Sequence, residues 1–336
     1  MSARHAVLLT YGEPPAPDVA AQLVYSWRIL LGLTRSVASI PPWALPAIAL
    51  SRAVTRARLW GRERYGSPLE AVTREQAQRL AEALAEDGAP AWWRVHVAYE
   101  FRDPLVGDVL ARIPPDEAVD VVPMYAADSA FTHQLSRAAV ARALRRLRRR
   151  APVRVTPPLD PEVLAALCAR HVVRETEARK AHGPDWGLLL AAHGTLLEPP
   201  RPMETGRRAT EQLASAIATR LGDRFGAISL GWLNHTYGGR WTEPPADQAL
   251  RRMVESGVRR VVYFPFGFLA DNAESELEGR IALRTAPELE AVHLPCLNGA
   301  PELAAALTQL VAPATDDRLR ELDGMATARG SKARGA

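Results

Sequence analysis

The stretch Leu188–Thr195 constrains the fold of this chain more than any other part of it. Its apolar run, which begins at Gly187, is typical of a strand buried on both faces, and such strands belong to parallel sheets. His193 and Gly194 follow where that strand should end. Ligands of open α/β sheets bind just beyond the carboxyl ends of the strands, so His193 lies where chemistry is usually done. Its imidazole is therefore either a base or metal ligand, or a turn histidine before a helix.

The rest of the chain alternates strands with helical segments. Strands are predicted at Ala6–Thr10, Trp92–Tyr99, Ala118–Met124, Val153–Thr156, Gly187–Ala192, Ala227–Trp232, Arg260–Pro265 and Val292–Pro295. Helices are predicted between them, including Pro161–Lys180 and an amphipathic helix at Leu135–Arg149. This alternation predicts parallel sheets with right-handed crossovers.

The second series of strands repeats the first. The sequence of Ala6–Gly12 aligns with that of Gly187–Gly194, which makes Tyr11 equivalent to His193, and residues 120–125 align with 261–266. Chance similarity between buried strands is the alternative. We expect an α/β fold of two similar Rossmann-like domains, each a parallel sheet flanked by helices, with a cleft between their strand ends. The predicted domains are residues 1–165 and 166–312, followed by a disordered tail at 313–336.

Composition is that of a globular enzyme. A length of 336 residues suits two domains of roughly 150 residues each, and 47% of the residues are apolar. The two cysteines, Cys168 and Cys296, are far apart, which suits a reducing cytoplasm and argues against an iron–sulfur cluster, since such a cluster needs four ligands. No signal peptide is expected, because the apolar run at Ala6–Thr10 is too short.

A run of five arginines and one leucine at residues 145–150 resembles a nucleic-acid-binding patch. We expect it instead to end the helix Leu135–Arg149, where cations complement the negative end of the helix dipole. No nucleic-acid partner is therefore predicted.

An apolar segment at about residues 29–60, the lip, has no counterpart in the second half. Its centre, Val37–Leu50, is uncharged and too short to span a bilayer as a helix, and its prolines would interrupt one. Arginines flank it at positions 28, 35, 52, 56 and 58. The lip is expected either to grip an apolar ligand or touch an anionic membrane, or to form a buried helical hairpin.

Carboxylates follow the third strand of the second half. Asp271 and Glu274 resemble a capping box at a helix start, and the helix would present Glu274 and Glu278 on one face. Because neighbouring parallel strands bring their following helices to one edge of the sheet, Glu274 is expected to approach His193. A neutral imidazole beside a carboxylate can bind a divalent cation and accept protons.

Six pieces of sequence, in this order, resemble the ferrochelatase family over nearly the whole chain, from Ala6 to about Leu310. They are the strand end at Tyr11-Gly12, Tyr65–Leu69 with Thr73, Gln76 and Leu80, Pro123–Ser129, Ala192-His193-Gly194, Asp271–Glu274, and Leu297-Asn298 with Pro301–Leu303. The resemblance implies two Rossmann-like domains around a porphyrin cleft. It also implies insertion of ferrous iron into protoporphyrin IX or coproporphyrin III, with release of two protons, in haem biosynthesis.

The resemblance further implies roles for single residues. His193 matches the proton acceptor and iron ligand of the family, and Glu274 matches the second ligand and proton exit. Tyr11 matches a position that contacts the metal from the opposite face, and Arg28 matches an arginine that holds a propionate. Weaker matches as pocket donors are Ser67, Tyr125 and Ser129. Ferrous iron is then a substrate rather than a cofactor.

The sequence departs from the family at the rim of the site. The departures are Thr195, Asn234, His235 and Asn272. Metal preference, tetrapyrrole identity and activity itself therefore stay open at this stage. The length of the lip resembles protoporphyrin-type members, whereas the Tyr-Gly opening resembles coproporphyrin-type ones.

Three other functions also stay open. These are a related chelatase with a different metal or tetrapyrrole, a non-catalytic haem- or porphyrin-binding relative, and a two-domain glycosyltransferase. The last has least support, because the chain has no glycine-rich phosphate loop. Porphyrin and ferrous iron are the expected partners. The expected location is the cytoplasm, with peripheral contact at the inner face of the membrane through residues 37–50.

Overall fold

The computed structural model describes residues 3–36, 41–86, 93–199, 201–234 and 239–311 of the chain. Within them, eight strands form two four-stranded sheets in which every pairing is parallel. The strands of the first sheet are β1 (Arg4–Thr10), β2 (Trp93–Tyr99), β3 (Ala118–Pro123) and β4 (Val153–Val155). Those of the second sheet are β5 (Gly183–His193), β6 (Phe225–Leu233), β7 (Arg260–Phe264) and β8 (Glu290–His293).

Helices connect the strands and cover the sheets. They are α1 (Val19–Ser36), α2 (Leu45–Arg62), α3 (Leu69–Glu86), α4 (Val106–Arg112), α5 (His133–Leu144), α6 (Pro161–Arg179), α7 (Arg207–Leu221), α8 (Ala246–Glu255), α9 (Gly279–Leu283) and α10 (Pro301–Val311). A π-helix spans Ala273–Glu278, and two short 3₁₀ turns span Pro42–Ala44 and Gly222–Arg224. The start of α6 illustrates how the sequence determines where a helix begins. Asp160 accepts hydrogen bonds from the first N–H groups of the helix, and Pro161 is its first residue.

The predicted fold class is confirmed. The first sheet has the order β2-β1-β3-β4 and the second has the order β6-β5-β7-β8, so both share one topology. The equivalence of Tyr11 and His193 follows from this topology, because Tyr11 follows the central strand β1 and His193 ends the central strand β5. The shared strand order favours duplication over chance similarity.

One apolar core joins the two sheets. Leu8 of β1 and Leu188 of β5 are both completely buried in the same cluster, which α3, α6, α7 and α10 complete. Successive residues of a strand point to opposite faces, so Val7 and Leu189 belong to separate clusters on the outer faces. There α4 and α5 cover the first sheet and α8 covers the second. The central strands are therefore buried on both sides, as their apolar runs predict.

Two helices cross between the halves. The α10 helix, late in the chain, packs against α3 and β3 of the first half, and the side chain of Arg154 donates a 2.6 Å hydrogen bond to the carbonyl of Leu310. The predicted boundary at residues 165 and 166 lies inside α6, which packs against α7. The division into domains at that point stays a prediction, and the predicted tail lies outside the described residues.

The lip is a helical hairpin with an exposed tip. Leu30, Leu45 and Ala49 form a small buried cluster between α1 and α2, as the hairpin alternative predicts. The side chain of Trp43, by contrast, is 83% exposed at the tip, as the alternative of a contact surface predicts. The part of the lip at residues 37–40 lies outside the described residues. None of the helices described here is both long and apolar enough to cross a membrane.

The predicted helix Leu135–Arg149 is wrong at its end. The α5 helix stops at Leu144, so the arginine run does not form the last turn of a helix. One member of the run, Arg149, folds back and donates hydrogen bonds to the carbonyls of Leu110, Ile113, Pro114 and Glu117. Arg149 therefore fastens the connection between α4 and β3.

Candidate active site

The structure brings together His193 and Glu274, which are 81 residues apart in sequence. His193 is the last residue of β5, and Glu274 is the second residue of the π-helix that follows β7. Because β5 and β7 are parallel neighbours, their following segments meet at one edge of the sheet. The Nδ1 atom of His193 lies 2.6 Å from Oε1 of Glu274. The two side chains therefore form one hydrogen-bonded unit at the carboxyl edge.

This hydrogen bond affects both the pKa of the imidazole and the position of its proton. Desolvation lowers the pKa of His193, but the charge of Glu274, its hydrogen bond and the charge of Glu278 together raise that pKa above its usual value. In the neutral ring Nδ1 carries the proton that is donated to the carboxylate, so the lone pair of the ring lies on Nε2. The side chain of His193 is 42% exposed.

The predicted capping pair Asp271–Glu274 is wrong. The cap is Asn272, whose side-chain oxygen accepts hydrogen bonds from the N–H groups of Glu274 (2.8 Å) and Ser275 (3.1 Å). Ser275 Oγ accepts from the N–H of Asn272 in return. Asp271 instead binds the N–H of Cys296 and the side chain of Asn298. Because Asn272 does the capping, the carboxylate of Glu274 is not used as a cap and contacts His193 instead.

Glu278 lies at the far end of the π-helix and shares its environment with Glu274, as predicted for this pair. Burial raises the pKa of Glu278 to about 7, the charge of Glu274 adds to the rise, and Arg56 and His193 oppose it. A carboxyl group with a pKa near neutrality can both accept and release a proton at physiological pH.

A polar network holds the end of β5. Thr195 donates its backbone N–H to Oγ1 of Thr242, which is hydrogen-bonded to Asn234, and the backbone N–H of Gly194 donates to the Leu233 carbonyl. A Cβ atom at position 194 would collide with the side chain of Asn234, so only glycine fits after the histidine. The rim departures Thr195 and Asn234 thus support the backbone around His193. His235 lies outside the described residues.

Aromatic and acidic side chains occupy the carboxyl edge of the first sheet. Tyr11 follows β1, Glu100 follows β2, and Tyr125 follows β3. The rings of Tyr11 and Tyr125 lie 4.9 Å apart, and the Tyr11 hydroxyl donates a 2.6 Å hydrogen bond to the Phe131 carbonyl. Burial, then the charges of Glu100 and Glu274, raise the pKa of Tyr11 well above its usual value. Tyr11 is therefore a neutral phenol within electrostatic reach of the His193–Glu274 unit.

Glu100 was missed from the sequence. Burial raises its pKa to about 8, against the hydrogen bond from Ser136, which lowers it. The hydroxyl of Ser136 donates to Oε1 of Glu100 at 2.6 Å. The signal that could have found Glu100 is its position directly after the strand β2, whose last two residues are buried, since His193 was identified by its position at a strand end.

The remaining predicted site residues have protein partners. Arg28 on α1 pairs with Asp103 (3.1 Å), Ser67 donates to Oε2 of Glu13 (2.6 Å), and Ser129 binds Thr132 and the Phe131 N–H within its own turn. Asp103 is largely exposed, so a ligand carboxylate could replace it at Arg28. The structure does not bring Ser129 to the His193–Glu274 unit through any described contact.

Glu13, two residues beyond Tyr11, is the second acidic residue that sequence reasoning missed. Its Oε2 accepts hydrogen bonds from Ser67 Oγ (2.6 Å) and from the backbone N–H of Ala273 (2.9 Å), and its Oε1 faces Arg56 at 3.3 Å. Ala273 opens the π-helix. Glu13 therefore ties the lip and the first sheet to the segment that carries Glu274.

No group of three or more His, Cys, Asp or Glu side chains in the described ranges is arranged to hold a metal ion. His193 and Glu274 bring an imidazole and a carboxylate, two kinds of metal-binding group, into one hydrogen-bonded unit. With only two protein groups to bind it, a metal ion would take its remaining ligands from the substrate and would leave the site together with the product.

The fold and this site define an α/β enzyme of two related sheets, with a histidine–carboxylate unit on one sheet edge and neutral phenols on the other. A family model described as ferrochelatase matches residues 4–315. The chain belongs to the ferrochelatase family. It is accordingly a lyase-type metal chelatase, an enzyme that inserts a metal ion into a tetrapyrrole.

Individual relatives agree with the family match. The ferrochelatase of Azoarcus sp. is 30% identical over 325 residues, which cover 91% of this chain and 86% of that protein. The ferrochelatase of Mesorhizobium japonicum is 29% identical over 272 residues, 73% of this chain and 70% of that protein. Among solved structures, CbiX, described as the terminal enzyme of sirohaem biosynthesis in denitrifying bacteria, covers 93% of this chain with all of its own, at a TM-score of 0.51 and 17% identity. That similarity is one of fold.

Proposed function

We propose that this enzyme inserts ferrous iron into a porphyrin, protoporphyrin IX or coproporphyrin III, and so forms haem or its coproporphyrin counterpart. The observation that carries the proposal is the 2.6 Å contact between His193 and Glu274 at the carboxyl edge of the second sheet. Metal insertion needs a proton acceptor and a metal ligand on one side of the macrocycle, and this unit offers both.

The two pyrrole N–H protons leave as iron enters. Nε2 of His193 takes a proton from a pyrrole nitrogen, and the carboxylate of Glu274 stabilises the imidazolium through Nδ1–H. Glu278, with a pKa of about 7 and within electrostatic reach of Glu274, is the next proton acceptor. Each turnover consumes one ferrous ion and one metal-free porphyrin and releases two protons, so charge and atoms balance.

The first sheet supplies the opposite wall. Tyr11 and Tyr125, whose rings are tilted by 53° to each other, give this wall an aromatic surface against which a flat, apolar macrocycle packs. Arg28 binds a propionate in place of Asp103, because a guanidinium pairs with a carboxylate through two hydrogen bonds. Such a clamp holds either porphyrin, since both carry propionates.

We place the enzyme in the cytoplasm, with the tip of the lip as a peripheral contact at the inner face of the membrane. The support is the 83% exposure of Trp43, which follows two exposed prolines, Pro41 and Pro42. An exposed aromatic tip beside arginines favours an anionic, partly apolar surface.

The test is an anaerobic absorbance assay with each porphyrin and with ferrous, cobaltous, nickel and zinc ions. Ferrous insertion should be fast with one of the two porphyrins. His193→Ala should abolish it while porphyrin binding persists, whereas His182→Ala, an exposed histidine before β5, should leave it unchanged. If the enzyme inserted cobalt or nickel but not iron, the proposal that iron is its metal substrate would be wrong. Normal insertion by His193→Ala would overturn the proposed site.

A further inference from the structure

The cavity of interest lies at the far end of the first sheet from the candidate active site. It has a volume of about 220 Å³ and lies between β1, β2 and α4. The α4 helix has only seven residues and is about 10 Å long, whereas the seven residues of β2 extend over about 23 Å. β2 is the edge strand of its sheet, and α4 is the helix that lines this cavity among the described residues. The mismatch in length leaves the cavity.

Two hydrogen-bonded histidines line it. Nδ1 of His5 lies 2.8 Å from Nε2 of His96, and Nε2 of His5 lies 2.7 Å from Oε2 of Glu117. A neutral His5 that donates to the Glu117 carboxylate must accept from His96, so His96 keeps a lone pair on Nδ1. His5 is almost completely buried and His96 is partly exposed. The chain Glu117–His5–His96 therefore ends in an imidazole at the cavity.

Two arginines carry the charge of the cavity. Arg94 precedes His96 by two residues on the same face of β2, and Arg112 ends α4 on the opposite side. Neither guanidinium makes an ion pair or hydrogen bond with any residue that the structure describes. Among the described residues no acidic side chain lines the cavity, and Glu117 lies behind His5. The remaining lining is apolar, from valine, isoleucine and proline.

The wall formed by Ile113 and Pro114 is held in place from behind. Arg149 donates to the carbonyls of both residues at 3.0 Å, and to those of Leu110 and Glu117. A wall fixed by four hydrogen bonds keeps its shape without a ligand. The cavity is thus preformed, a condition that lowers the entropic cost of binding.

We propose that this cavity binds a small organic anion, whose carboxylate or phosphate group pairs with Arg94 and Arg112 while its apolar body lies against the valine and proline wall. Guanidinium groups favour such head groups because their N–H pairs match two oxygens. The volume corresponds to roughly seven water molecules, enough for a ring of six carbons with its head group. The site is separate from the metal-insertion site, since His5 and Tyr11 lie at opposite ends of β1, about 20 Å apart along the strand.

The test titrates the full chain with benzoate, phenyl phosphate and inorganic phosphate by calorimetry. Benzoate or phenyl phosphate should bind saturably at millimolar concentration or below, and inorganic phosphate should bind at least tenfold more weakly because it lacks the apolar body. Arg94→Gln and Arg112→Gln should each weaken binding by tenfold or more. Arg208→Gln is the matched control, an exposed arginine on α7 without an ion pair among the described residues.

A second measurement separates the cavity from the metal-insertion site. The His193→Ala variant should bind benzoate or phenyl phosphate with unchanged affinity. The ring signals of His96 should shift on titration in nuclear magnetic resonance spectra, because the anion favours its protonated form. The proposal is overturned if none of the probes binds saturably, if the arginine variants bind as tightly as the wild type, or if binding disappears in His193→Ala.

Discussion

The backbone N–H of Ala273 donates a 2.9 Å hydrogen bond to Oε2 of Glu13, a residue 260 positions earlier in the chain. The same carboxylate oxygen accepts from Ser67, and its other oxygen faces Arg56. The position of Glu274, the next residue after Ala273, therefore depends on a charge supplied by the other half of the molecule.

Glu13→Gln should weaken both stability and turnover. The amide keeps an oxygen for Ser67 and Ala273 but leaves Arg56 without its anion, and removing one partner of a largely buried pair is costly. We expect a loss of about 2 kcal/mol in the free energy of unfolding, measured by urea denaturation. In a double-mutant cycle with Arg56→Gln, the two losses should not add. Additive losses would show that the pair contributes nothing.

Glu274→Gln should reduce metal insertion by about two orders of magnitude, the scale of a lost acid–base group. Its stability should change little, because the cap of the π-helix is Asn272. Asn272→Ala should instead affect stability more than turnover, with a loss of about 1 kcal/mol in the free energy of unfolding. The control is Glu255→Gln, an exposed carboxylate on α8.

His193→Ala combined with Glu274→Gln should be little slower than the worse single variant, since residues that act as one unit are not additive. Steady-state rates of the three variants and the wild type give this comparison. If the reductions in rate of the two single variants multiplied in the double variant, the two residues would act independently.

Stability should fall as the pH rises toward 8, and Glu100 should account for part of the fall. Its pKa is about 8 in the folded state, mainly through burial, and about 4.3 in an unfolded chain. Between these values the folded state holds the proton more tightly, so the stabilisation is fully present below about pH 4 and is lost as the pH rises to about 8. Glu100→Gln should flatten the curve of unfolding free energy between pH 5 and pH 9 by on the order of 2 kcal/mol. If the wild type and Glu100→Gln gave parallel curves, the raised pKa of Glu100 would be contradicted.

Trp43→Ser with Leu50→Ser should raise the Michaelis constant for porphyrin and reduce binding to anionic vesicles. Both side chains are exposed, so the unfolding free energy should change by less than about 0.5 kcal/mol. Val163→Ser on α6 is a matched exposed control. Leu45→Ser should instead cost about 2 kcal/mol or more, because Leu45 lies in the buried cluster of the hairpin. If the double variant bound porphyrin and vesicles as the wild type does, Trp43 and Leu50 would contribute to neither kind of binding.

Sequence reasoning predicted the strands and the position of His193 because buried strands are long apolar runs, and a polar residue at the end of such a run is conspicuous. It chose Asp271 as the cap although Asn272 does the capping, since both residue types cap helices and only the backbone conformation selects between them. A π-helix was not predictable in the same way, because its first turn carries the same residues as an α-helix start.

Glu13 and Glu100 were missed for a different reason. Each is a single carboxylate whose partners lie far away in sequence, so no periodicity marks it. The arginine run at residues 145–150 was misjudged because Arg149 binds carbonyl groups of another connection, which a local pattern does not contain.

The packing of α10 has a consequence for the order in which the molecule matures. Leu303 and Leu307 of α10 lie in the same apolar cluster as Leu8 of β1 and Leu80 of α3, so the inner face of the first sheet is closed by residues that the ribosome adds nearly 300 positions later. A nascent chain that has completed only its first sheet therefore keeps an uncovered apolar face. The two halves are alike in topology, yet the first matures only when translation of the second is nearly complete.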